Sequence, residues 1–235
     1  MKKFRTLLAV CFLCVAATVS AQFTNNSASS GSAVADTEGW NGLRVSYNNF
    51  GFDGDFGKEF DAINGIEVGY VQAFSILNDM PIFLETGASL SYVFGDLFSE
   101  SGEYYEGYHY NEYSSKRTLN MFSVIVPVNV GYKFAISEEL SMFPYLGVTL
   151  KGNIKGTSEY EYEDSYGDSE SSDANVFDDD DMEDGAWDRF QLGWQIGTTL
   201  NYKNMNIGLS YGADLMELGE DIETNSLKVT IGCNF

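Results

Sequence analysis

From residue 40 onward, apolar and small or polar side chains alternate with a period of two in eight separate segments. Each segment is about as long as the 9 to 11 residues that a tilted strand needs to cross a bilayer. The segments cover residues 40–50, 63–76, 82–94, 118–134, 142–154, 189–202, 205–215 and 225–235. In the first, Leu43, Val45 and Tyr47 alternate with Gly42, Arg44, Ser46 and Asn48; in the seventh, Ile207, Leu209 and Tyr211 alternate with Asn206, Gly208, Ser210 and Gly212. The fourth contains Pro127, which cannot donate to a ladder and therefore predicts a bulge or a locally unpaired position.

Alternation alone fits a soluble sandwich or a lipocalin-like binder as well as a membrane barrel, because each buries one strand face. Three features favour the membrane. The non-apolar face is mostly Gly, Ser, Thr and Asn, which fit a narrow lumen, whereas water-facing strands usually carry longer charged side chains. Aromatic residues gather near segment ends, as Trp40, Phe50, Phe94, Tyr132, Phe134, Phe190 and Tyr202 do, where interfacial girdles lie. The connections alternate between short (77–81, 135–141, 203–204) and long (51–62, 95–117, 156–188, about 216–224). The fold expected is all-β: an eight-stranded antiparallel up-and-down transmembrane β-barrel with short periplasmic turns and long extracellular loops.

The leader agrees with export. Lys2, Lys3 and Arg5 precede an apolar run from Leu7 to Val19 that ends in Val19-Ser20-Ala21, the pattern of a secretory signal peptide over residues 1–21. Its removal takes Cys11 and Cys14 and leaves Cys233 alone, so no intramolecular disulfide is expected. Residues 22–39 (QFTNNSASSGSAVADTEG) lack periodicity and predict a flexible periplasmic lead-in, which leaves 40–235 for the barrel.

The formal charge of −22 becomes −25 once the leader's three bases are removed, which excludes nucleic acid as a partner. The partners expected are outer-membrane lipid, the barrel-assembly machinery during biogenesis, and an unknown extracellular ligand.

Residues 121–134 (MFSVIVPVNVGYKF) resemble a strand of the PorT-like, porin-family outer-membrane β-barrel proteins, and residues 143–147 (FPYLG) fit the same pattern. The resemblance spans roughly residues 40 to 235 and implies a barrel in the outer membrane of a Gram-negative bacterium. It also implies that the last residues, with Val229, Ile231 and Phe235 at alternate apolar and terminal positions, serve as the signal read by the assembly machinery. The family name does not imply an open pore, since eight strands enclose an interior just wide enough for side chains.

On the predicted lumen face lie Arg44, Glu67, Glu85, Lys133, Lys151 and Lys228, with Glu85 and Lys133 on adjacent strands toward the periplasmic end, Arg44 at similar depth two strands from Glu85, and Glu67, Lys151 and Lys228 nearer the outer end. They read as an interior salt-bridge network, with a narrow channel as the alternative. Residues 156–188 hold fourteen acidic side chains and no basic one, predicting a solvated, self-repelling loop with weak divalent-cation binding as its alternative. No cofactor is expected otherwise. The run Glu103-Tyr-Tyr-Glu-Gly-Tyr-His-Tyr-Asn-Glu-Tyr113 makes Tyr104, Tyr105, Tyr108, Tyr110 and Tyr113 either a binding surface or a hairpin that prolongs the wall. His109 is the only histidine and no Gly-x-Ser-x-Gly elbow accompanies it, so no catalytic residue is assigned. The function expected is non-enzymatic, presenting acidic and Tyr-rich loops for surface interaction or membrane integrity; a channel and a lipid-modifying enzyme are the alternatives.

Overall fold

The structure is a computed structural model that describes residues 38–106, 109–165, 168–178, 180 and 186–235. The expected signal peptide over 1–21 and nearly all of the lead-in over 22–39 lie outside the described residues. The strands are β1 (Trp40–Asp53), β2 (Ile63–Leu77), β3 (Met80–Glu106), β4 (His109–Tyr132), β5 (Phe134–Ala135), β6 (Leu140–Asp164), β7 (Ser169–Asn175), β8 (Phe190–Tyr202), β9 (Met205–Asp214) and β10 (Glu223–Asn234). A single turn of 3-10 helix at Gly57–Glu59 follows β1.

Eight of these strands close a ring in which every pairing is antiparallel. The order β4-β3-β2-β1-β10-β9-β8-β6 is joined by β4 against β6. The first and last strands meet over Gly42↔Asn234 to Asp53↔Glu223. Two-residue β5 continues β4 against the start of β6, and β7 pairs with the outer part of β6. Closure removes the sheet edges that a bilayer cannot tolerate.

The outward face of the ring is apolar and uncovered. Leu43, Val45, Ile66, Val68, Leu90, Val130, Leu146, Val148, Ile196, Ile207, Leu209, Leu227, Val229 and Ile231 are all exposed, on every strand of the ring. A continuous apolar belt of this extent is a lipid-contacting surface. Cross-strand tyrosine and asparagine pairs mark its borders: Tyr70 Oη donates to Asn41 Oδ1 at 2.8 Å near the periplasmic rim, and Tyr92 Oη to Asn120 Oδ1 at 2.9 Å near the outer rim. Tyr47 and Asn64 form the same pair at the outer rim. Along β1, Asn41 and Asn49, the ladder partner of Asn64, stand eight residues apart, about 26 Å along the strand and shorter across a tilted wall. That matches the apolar band of outer-membrane barrels, about 25 Å tall.

At Pro127 the β3–β4 ladder skips Gly87 and Ala88 while the register on either side is unchanged, so the position is locally unpaired and not bulged. Thr86 fills the gap by donating its hydroxyl to the Pro127 carbonyl at 2.8 Å.

The long connections differ from expectation. Residues 95–117 are not a loop: β3 and β4 stay paired from Phe98↔Arg117 to Glu106↔His109. The acidic stretch 156–188 is not all loop either, since 156–164 belong to β6, paired with β4 on one side and β7 (Ser169–Asn175) on the other; residues 166, 167, 179 and 181–185 lie outside the described residues. The apolar alternation ends at the membrane surface, but a period of two persists in Tyr, Ser and Glu, and a neighbouring strand is in place to pair with it. Charge repulsion among the carboxylates is screened in water and does not outweigh the ladder.

Candidate functional site: a sealed lumen beneath an extracellular sheet

The lumen charges pair in a chain of ion pairs that runs up the barrel. Near the periplasmic end Arg44 lies 3.9 Å from Glu85, whose carboxylate also accepts from Trp40 Nε1 at 3.2 Å and Asn129 Nδ2 at 3.4 Å. Arg44 donates in turn to Asn234 Oδ1 at 2.8 Å. Higher up, Lys228 pairs with Glu67 at 2.7 Å. Nearest the outer end, Lys151 pairs with Asp214, which also accepts from the Thr224 hydroxyl.

Five of the six expected lumen charges take part in these pairs, and one partner was not expected. Asp214 was not anticipated, although it continues the inward series Asn206, Gly208, Ser210, Gly212 by one more step of two. Lys133 does not pair with Glu85. It sits in the break between β4 and β5 at the periplasmic rim, its ammonium 5.5 Å from the Trp40 ring and 5.9 Å from the Phe83 ring. Of the two bases placed near Glu85, Arg44 is the one that pairs with it.

Both ends of this polar column are stoppered with apolar side chains. Below it, Trp40, Phe83 and Phe143 pack with ring centroids 4.8, 5.2 and 6.5 Å apart. Above it, Phe50, Ile63, Val93, Leu97, Leu119, Met121, Val176, Phe177, Trp187, Leu218 and Ile222 form one buried cluster, with Phe52, Phe60 and Phe98 against it. A bulge on β3 between Asp96 and Phe98 turns both Leu97 and Phe98 inward to complete that layer. Trp187 N–H donates to the Val176 carbonyl at 2.7 Å and Leu218 N–H to Ile222 at 2.7 Å, which holds the connecting segments over the mouth. Between the stoppers lie a cavity of about 70 Å³ beside Arg44, Glu67, Glu85 and Lys228 and one of about 20 Å³ beside Lys151 and Asp214. These spaces hold a few water molecules at most. The isolated apolar residues Val176, Phe177, Trp187, Leu218 and Ile222 within acidic stretches were the sequence signal for this cap.

Beyond the cap, β3, β4, β6 and β7 run on as a four-stranded sheet. One of its faces continues the lumen side: Arg117 lies between the rings of Phe98 and Tyr160, 5.6 and 5.7 Å from their centroids, and Tyr113 stacks on Tyr162 at 6.4 Å. The other continues the lipid side and carries Glu103, Glu112, Glu159, Glu161, Glu163 and Asp173, with Lys116 tied to Asp96 at 3.2 Å.

The expected tyrosines divide accordingly. Tyr105 and Tyr110 meet on the acidic face, ring centroids 5.6 Å apart, while Tyr113 is on the opposite face. Tyr104 pairs with Asn111 in the ladder, and Tyr108 lies outside the described residues. Hydrogen bonds to the Glu103 and then the Glu112 carboxylate hold the Tyr110 hydroxyl's pKa above its ordinary value, because they stabilise the protonated phenol. Val229 and Ile231 sit in the lipid-facing belt. Phe235 is exposed and tied to Asn41 by a pair of backbone hydrogen bonds, at 2.9 and 3.3 Å. Among the described residues no group of three or more acidic, His or Cys side chains is arranged to hold a metal ion.

The closed antiparallel ring with its apolar exterior agrees with a family match: residues 7–235 match the outer membrane protein beta-barrel domain. The chain belongs to that family. As a member, it is an outer-membrane barrel of a Gram-negative envelope. No curated protein matches the chain. Among solved structures it is similar to Ail, the attachment invasion locus protein of Yersinia pestis, crystallised with the heparin analogue sucrose octasulfate, at 17% identity over 84% of this chain and 99% of that one, with a TM-score of 0.35. Neisserial surface protein A is similar at 10% identity over 83% and 97%, TM-score 0.37. The outer membrane enzyme PagL is similar at 12% identity over 80% and 97%, TM-score 0.37.

Proposed function

We propose that this family member is a non-enzymatic barrel that presents its acidic, tyrosine-bearing sheet outside the cell for interaction with a partner. The observation that carries this reading is the contrast between the lumen and the sheet. The lumen is stoppered by Trp40, Phe83 and Phe143 below and by the Leu119 and Trp187 layer above, whereas strands β3, β4, β6 and β7 extend beyond the membrane with exposed polar and aromatic faces. A solute would have to displace both apolar layers and break buried ion pairs, which disfavours the narrow channel.

The test uses thiol labelling of intact cells in a Cys233→Ser background. Ser171→Cys, on β7, is expected to react with a membrane-impermeant maleimide, and Ser137→Cys, in a turn at the opposite rim, only after the envelope is permeabilised. The reverse pattern would overturn the orientation on which the reading depends. A change in cellular lipid structure that disappears in His109→Ala would overturn its non-enzymatic part.

A further inference from the structure

We propose that the free edge of β7 is a docking site for an extended, Lys- or Arg-rich segment of another protein, which adds to the extracellular sheet as a fifth strand. This rests on the surface-interaction reading and names its partner chemistry.

The edge is open. Among the described residues β7 pairs only with β6, from Thr157↔Asn175 to Glu163↔Ser169. Ser169 through Asp173 are exposed. These five residues make an edge about 17 Å long, whose outward-pointing N–H and C=O groups, on alternate residues, are a template for another strand. Sheets usually guard such edges with proline, lysine or a bulge. β7 (SESSDAN) has no proline or lysine, and its register against β6 is unbroken. The opposite edge of the same sheet differs, because the bulge at Leu97 turns it and Asp61 N–H already occupies the Leu97 carbonyl at 2.6 Å.

Charge selects the occupant. On the acidic face, Ser171 lies opposite Glu161, Ser169 opposite Glu163 and Asp173 opposite Glu159. Strands in a sheet are about 4.8 Å apart, so a lysine or arginine on an added strand can extend across the short serine side chains to the glutamates behind them. Glu170 offers the same on the other face. A second copy of the chain would instead bring Glu170 and Asp173 against other acidic side chains, at a formal charge of −22 per chain with the leader and −25 without it.

The test uses the full mature protein in lipid nanodiscs and a fluorescent synthetic peptide of alternating Lys and Thr, read by anisotropy. Saturable binding is expected. The same peptide with Glu in place of Lys should not bind. Two further versions, N-methylated at one or the other set of alternate residues, separate strand addition from plain charge attraction. One of the two should bind about tenfold more weakly or worse, as expected when backbone hydrogen bonds are lost. The double variant Glu161→Gln, Glu163→Gln, which leaves the backbone untouched, should weaken binding severalfold. No binding, equal binding by both N-methylated versions, or indifference to the double variant would each overturn the proposal. So would a dimer in mild detergent that Ser171→Pro dissolves. If Ser171→Cys labels on intact cells but the Lys peptide does not bind, this inference fails and the surface reading stands.

Discussion

Lys228 on β10 reaches over β1 to donate a 2.7 Å hydrogen bond to Glu67 on β2. The two strands are not paired with each other, and the small Ser46 and Asn48 of β1 leave the space through which the ammonium passes. Removing one partner leaves the other charge buried alone. Lys228→Met should therefore destabilise the barrel by about 3 to 5 kcal/mol. Adding Glu67→Gln to that variant should recover most of the loss, as equilibrium urea unfolding in lipid vesicles would measure. Equal stability of the single and double variants would show that the pair is not coupled.

The apolar belt predicts an asymmetry within β9. Leu209 faces lipid and is about half exposed, at 51%. Leu209→Arg should cost about 2 to 4 kcal/mol, the depth-dependent cost of a charge at the bilayer midplane. Leu209→Phe should be close to neutral in the same vesicle-unfolding measurement.

The double stopper predicts electrical silence. Planar bilayers containing the protein should show no discrete conductance steps. Trp187→Ala removes the largest side chain of the outer cap, so it should make the 176–188 segment more sensitive to protease while the ring strands stay protected. Steps from the unaltered protein would show that the cap opens.

The terminal residue separates recognition from stability. Phe235 is 67% exposed, so Phe235→Ala loses little packing. If Phe235, with Val229 and Ile231, is read by the assembly machinery, the variant should accumulate poorly in the outer membrane of cells yet refold into vesicles at the original rate. Equal loss in both settings would assign Phe235 a purely structural role.

Tyr110 gives a pH dependence. Its folded pKa is raised above the ordinary value of 10.0 by Glu103 and Glu112. A raised folded pKa means that the contact's contribution is fully present below the unfolded value and is lost as pH rises from there through the folded one. Tyrosine absorbance should then show a late-ionising component that Tyr110→Phe removes, and the hairpin tip should loosen only above ordinary tyrosine ionisation.

The ring itself was legible in the sequence because lipid imposes one rule on every outward position, and Leu43, Val68, Leu90 and Ile231 obey it. Arg44, Glu67, Glu85, Lys151 and Lys228 could be assigned to the lumen from the same parity. Their partners could not, since pairing depends on which charges come within reach across a curved wall; parity alone left both Arg44 and Lys133 near Glu85, and Arg44 is the one that pairs with it. The sheet above the membrane was hidden because Tyr, Ser and Glu at a period of two look the same whether a strand is paired or dissolved in water. Only the neighbouring strand decides, and neighbours are set by closure.

The seam between β1 and β10 has a temporal side. Gly42 and Asn234 sit side by side, so the ring cannot shut until synthesis and export have delivered both β1 and β10 to the same place. A nascent stretch ending at β9 would have an unsatisfied margin inside the bilayer, which makes insertion a late event and obliges the cell to keep the chain unfolded in transit.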